Sequence, residues 1–132
     1  MATTFILNWD TLRWLVMYAS RLARELIGHL DVIDLSSLSH DETVYLIGYL
    51  RFFIWAINLL IAVIRRIPSG LYDDNLGLQS LHGLTNVLIV LNNQLITTCT
   101  FLETSIGLAP SFTQQPPIPQ YWPRVGSIPG LD

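Results

Sequence analysis

From Asn75 to Leu102 the chain carries no Asp, Glu, Lys or Arg, a run of 28 residues. The segment before it, Thr43–Ile64, holds a single such residue, Arg51. Together they set the problem any fold must solve, because ordinary soluble domains are about 25% charged and this chain of 132 residues is 13% charged and 51% hydrophobic. A disordered chain would be apolar-poor and charge-rich, so disorder is excluded. Cys99 is the lone cysteine, which excludes a disulfide scaffold. The net charge of −3, from seven arginines, no lysine and ten acids, gives no global attraction for nucleic acid or anionic lipid. Two solutions survive: helices that enter lipid, or a subunit that buries much of its surface against other copies of itself.

Periodicity assigns the elements. Over residues 9–29, Trp9, Leu12, Leu15, Val16, Ala19, Leu22, Ala23, Leu26 and Ile27 recur at three- and four-residue steps. Arg13, Arg21, Arg24 and Glu25 fall opposite, which predicts an amphipathic helix with Gly28 as its stop. Asp31–Ser39 reads as a connector in which Asp34, Ser36 and Ser37 compete for backbone hydrogen bonds. Ser39-His40-Asp41-Glu42 fits a capping box, and a helix can run from it to Ile64 or Arg66. Pro68-Ser69-Gly70 ends that helix, and Asp74 or Asn75 can cap the next. The second long helix reaches about Leu102, either bending near Asn92-Asn93 and continuing or restarting to Leu108. Six of the seven prolines follow Ala109, so residues 110–132 read as an extended arm outside a helical unit of 1–109. The alternatives are a disordered tail and an arm that docks; Phe112, Tyr121 and Trp122 favour the docked arm.

The long helices each carry a heptad seam. Leu46, Leu50, Phe53, Ile57, Leu60 and Ile64 form one, and Leu81, Leu84, Leu88, Leu91 and Leu95 the other, as expected of an antiparallel hairpin spanning about 40–102. The first long helix has two further apolar sides: Val44, Ile47, Ile54 and Ile61, and Tyr45, Tyr49, Phe52, Leu59 and Val63. A helix apolar nearly all round must be buried nearly all round. Thr43–Ile64 is long enough to span a bilayer, with Arg65-Arg66 at its end. Mid-bilayer placement of Arg51 costs about 2.5–3.5 kcal/mol or more, and Asn58 adds to it. Gln79, Asn86, Asn93 and Thr100, repeating every seven residues, form a polar stripe suited to other protein groups or to solvent at a crowded surface. These features favour a self-assembling bundle; a small two-helix integral membrane protein is the alternative.

Catalytic signals are missing. Arg51 is expected to pair with an acid such as Glu103 or one from a partner, and Cys99 to be a buried structural thiol with no base beside it. His29, His40 and His82 are too scattered for a metal site. No phosphate loop or paired-carboxylate motif is present. The expectation is a protein that is no enzyme, with no cofactor and no small-molecule substrate. Met1–Asn8 lacks a basic start and a cleavage site, so no signal peptide is expected.

The order of elements resembles the core (capsid) proteins of hepadnaviruses and of their non-enveloped fish relatives, the nackednaviruses. Arg24-Glu25 is similar to that family's Arg-Glu near the end of its first helix, and Ser39-His40-Asp41-Glu42-Thr43 to its helix start. Phe101–Leu108 would correspond to its penultimate helix. Pro116-Pro117-Ile118-Pro119-Gln120-Tyr121-Trp122-Pro123 would be its Pro-Pro-aromatic arm. The resemblance implies an all-α chain whose hairpins form a four-helix bundle in a homodimer, flanked by an N-terminal amphipathic helix and a proline-rich arm. It implies a dimer interface at Val44, Ile47, Ile54, Ile61, Leu84, Leu88, Leu91 and Leu95. Contacts between dimers would involve Phe112, Pro116, Pro117, Tyr121, Trp122 and Arg124, with Tyr121 or Trp122 filling a neighbour's pocket. It further implies an icosahedral shell, and a place in the virion and in the host cell's cytoplasm or nucleus. Two departures stand out. The cysteine that bridges mammalian dimers has no counterpart in Val44–Ile64, and the family's arginine-rich tail is absent up to Asp132. Contact with viral nucleic acid is therefore expected of a basic tail that these residues do not include.

Overall fold

The structure, a computed structural model, describes residues 9–67 and 76–118. The chain is all-helical, with no strand among the described residues. Three long helices carry it: α1 (Trp9–Asp31), α2 (His40–Arg65) and α3 (Leu76–Ser105). α3 packs against both α1 and α2 and is the central element. Arg51 of α2 meets Glu103, whereas Asn58, two turns further on, meets Asn92, so α2 and α3 run antiparallel.

Local chemistry accounts for the ends. α1 continues through Gly28 to Asp31, past the expected stop, because a glycine inside a packed helix only weakens it. The connector contains a short 3-10 turn, Leu35–Ser37, capped by Asp34, whose carboxylate accepts from the Ser36 amide at 3.2 Å. The expected capping box is present at the start of α2. Ser39 Oγ accepts from the Glu42 amide at 3.2 Å and Glu42 accepts from the Ser39 amide at 3.1 Å. The break at Pro68-Ser69-Gly70 and the cap at Asp74 or Asn75 lie outside the described residues.

α3 continues past Leu102 without restarting. Phe101–Ser105 are its final residues and residues 106–107 form a turn, so no separate helix occupies Phe101–Leu108. The Leu108 amide donates to the Glu103 carbonyl at 2.8 Å and the Gly107 amide to the Thr104 carbonyl at 3.1 Å, the paired bonds of a Schellman cap. Gly107 has φ +81°, which an L side chain rarely adopts. This cap turns the chain back so that residues 111–118 lie along α3.

The core runs along one stripe of each helix. On α2 it is Thr43, Ile47, Leu50, Ile54, Ile57, Ile61 and Ile64. The expected seam shares Leu50, Ile57 and Ile64 with it, but Ile47, Ile54 and Ile61 replace Leu46, Phe53 and Leu60. The face of α2 that is buried is thus one residue round from the expected seam at these three positions. Phe53 and Leu60 line an apolar groove of about 380 Å³ with Leu15, Tyr18 and Leu22 of α1 and Phe52 of α2. On α3, Leu81, Leu88 and Leu95 are fully buried, together with Ile89, Ile96, Cys99 and Leu102.

Candidate functional site

The intrachain core takes most of the residues expected at the dimer interface. Ile54 is 0% exposed, Ile47 and Ile61 are equally sealed, and so are Leu88 and Leu95. A side chain with no surface left offers a partner nothing to bury, so these five are corrected from interface to core. Leu84 and Leu91 are half-buried against that core, and Val44 alone of the eight is exposed.

What α2 does present outward is its third apolar side. Tyr45, Tyr49, Phe52, Leu59 and Val63 are exposed, Tyr45 at 77% and Phe52 at 69%. With Ala56, they follow steps of four and three residues, the spacing of a second seam on the face opposite the core. Trp55 lies beside it, tilted against Phe52 with ring centroids 6.1 Å apart. No charged side chain interrupts this face from Thr43 to Ile64, since Arg51 points to Glu103. α1 adds exposed Trp14, Met17 and Tyr18, the Trp14 and Tyr18 rings stacked at 5.2 Å and Arg21 over Tyr18. The sequence pattern missed these three, which lie off α1's buried stripe; their large aromatic area was the available signal.

The polar stripe of α3 has a defined task. Asn93 donates from Nδ2 to the Gln115 carbonyl at 3.0 Å and accepts the Gln115 amide at 2.9 Å. Seven residues away, Asn86 repeats the pattern on Ile118, donating at 3.3 Å and accepting at 2.7 Å. Pro116 and Pro117 have no N–H, so Gln115 and Ile118 own the only backbone amide donors of 115–118, and both are used. The registers agree. Seven helical residues advance about 10.5 Å, and three residues of polyproline-type chain about 9.3 Å. Gln114 donates to Thr97 at 2.9 Å, Arg65 donates to the Pro116 carbonyl at 2.9 Å, and the Gln115 side chain reaches Asn58.

Phe112 is thus half-buried on its own chain's core rather than held out for a neighbour, while Pro116 and Pro117 are exposed. Tyr121, Trp122 and Arg124 lie outside the described residues.

The segment's other anchor is Glu103, 0% exposed. Arg51 donates to its Oε2 from Nε at 2.9 Å and Nη2 at 2.6 Å, Ser111 donates from its amide and hydroxyl, and Cys99 Sγ lies 3.5 Å away. Arg51 therefore pairs with the acid the sequence suggested. Burial pushes the Glu103 carboxyl up, but Ser111, Arg51 and Cys99 together hold it below the ordinary glutamate value. Burial and the adjacent carboxylate push the Cys99 thiol up to about 12, which leaves it unreactive. Among the described residues no group of His, Cys, Asp and Glu could hold a metal ion.

The chain matches no family model, no curated protein and no solved structure.

Proposed function

We propose that this chain is a viral capsid (core) protein that dimerises through its helical hairpin and self-assembles into an icosahedral shell enclosing the viral genome. The observation that carries the reading is the outward seam of α2, a charge-free row of large apolar side chains on a helix whose opposite face is already buried. Within the proposed dimer, α2 and α3 of two copies form a four-helix bundle. The interface is Tyr45, Tyr49, Phe52, Ala56, Leu59 and Val63 with Val44 at its edge, in place of the isoleucines that the core has taken. The groove between α1 and α2 is continuous with it through Phe52. Such an interface is of the obligate kind, resembling a core cut in half. Weaker repeated contacts between dimers then close a shell, with Tyr121 or Trp122 as the anchoring aromatic. Viral nucleic acid would be met by a basic tail outside these residues.

The test is purification without detergent followed by negative-stain microscopy. Shell-like particles are expected from the unmodified chain, and dimers without particles from Tyr121→Ala or Trp122→Ala. A stable folded monomer at high concentration would overturn the reading.

A second reading is favoured by one observation. α2 is long and apolar enough to cross a membrane, with mean hydropathy 2.0 over its most apolar window. A membrane protein would need detergent and would float with liposomes. Arg51 at the middle of α2 tells against it, because that charge is tied to Glu103 and would draw α3 into the bilayer with it.

A further inference from the structure

We propose that the Asn86–Asn93 ladder of α3 also accepts residues 111–118 of a second copy, so that neighbouring copies exchange these segments. The proposal rests on the assembly reading for the presence of neighbours and adds a link that does not use the α2 face.

Three features carry it. First, the ladder recognises backbone. Each asparagine offers one donor and one acceptor to the amide and carbonyl of a single residue, at Gln115 and Ile118. An identical segment from another copy presents the same groups at the same spacing. Second, the remaining anchors, Glu103 to Ser111 and Arg65 to the Pro116 carbonyl, are likewise met by the same residues in the second copy. Exchange therefore keeps the contacts of residues 111–118 and gives up only the α3 cap, the amide bonds of Gly107 and Leu108. Third, that connection is short and turns at one point. Ile106–Pro110 separates α3 from the held segment, and its reversal depends on Gly107 at φ +81°. Glycine reaches negative φ as readily as positive. Rotation there directs the chain away from its own α3 without steric penalty.

These are the conditions for domain swapping: an exchangeable element, a hinge and an identical acceptor. The chain's own segment competes at an effective concentration in the millimolar range typical of short connections. Exchange is therefore expected to rise with local concentration, as it would between packed copies.

The experiment uses two full-length chains with different tags, one carrying Thr97→Cys and the other Gln114→Cys. These positions touch in the structure and leave the ladder intact. After joint refolding at high concentration, a short bis-maleimide linker is added; Cys99, buried with a raised pKa, does not compete. The expected result is a cross-linked product bearing both tags, in several-fold excess over same-tag products. It should be lost when Gln115→Pro and Ile118→Pro remove the two amide donors from the Gln114→Cys chain. Should the proline variant fold poorly, Asn86→Ala with Asn93→Ala in the Thr97→Cys chain must give the same loss. Absence of the two-tag product overturns the exchange. If sedimentation still gives dimers in that case, the α2 interface stands; a two-tag product from a chain otherwise monomeric removes the α2 interface and keeps the exchange.

Discussion

Glu103 joins three parts of the chain through one carboxylate: Arg51 of α2, Cys99 of its own helix, and Ser111 beyond the α3 cap. Its pKa is lowered in the folded state, so its contribution to stability is fully present above the unfolded glutamate value of about 4.3. As pH falls below that value the contribution declines, and it is lost once pH passes the lower folded value. Glu103→Gln should cost about 2 kcal/mol at neutral pH, the range for hydrogen bonds to a charged group. It should also flatten the acid limb of a plot of thermal midpoint against pH. An unchanged acid limb would show that another carboxylate governs it. Protease cleavage between Pro110 and Ile118 should speed up in the same variant, because Ser111 bonds both carboxylate oxygens and the amide leaves only one acceptor, uncharged.

At the scale of elements, termini and register decide more than propensity does. The capping box of α2 and the Schellman cap of α3 are local devices with separable effects. Ser39→Ala should lower stability by about 1 kcal/mol without altering residues 111–118. Gly107→Ala places a Cβ in left-handed backbone and should also cost about 1 kcal/mol. Its added Cβ would meet no neighbouring atom, so the whole effect is conformational. The discriminating measurement is hydrogen exchange. Gly107→Ala should accelerate exchange of the Gln115 and Ile118 amides, and Ser39→Ala should leave them protected.

For the whole molecule, inward and outward faces of α2 predict opposite outcomes for the same substitution. Ile54→Asp buries a carboxylate in a sealed core and should unfold the chain, seen as loss of the helical circular dichroism signal. Phe52→Asp, two residues earlier and 69% exposed, should leave a folded chain that sediments as a monomer. A dimer that survives Phe52→Asp would place the interface elsewhere, with the Trp14–Tyr18 face of α1 next to be tested.

The helical class, the capping box and the buried Cys99 were legible in the sequence, because they follow from short-range pattern. The sequence also marked Arg51 as needing an acid but left open whether Glu103 or a partner supplies it; the structure chose Glu103. The sequence likewise marked Asn86 and Asn93 as part of a heptad stripe, without deciding between protein groups and solvent. Tertiary structure alone decided which of α2's three apolar sides is core. All three have helical spacing, and only the position of α3, together with α1 along the flank, selects Ile47, Ile54 and Ile61 over Tyr45, Phe52 and Leu59. It alone decided that α3 runs unbroken to Ser105, because Gly107 is a stop only in a chain that turns back. And it alone decided that the proline-rich segment lies on α3. A backbone held by asparagines leaves no trace in its own side-chain pattern, since the groups recognised are those every residue shares.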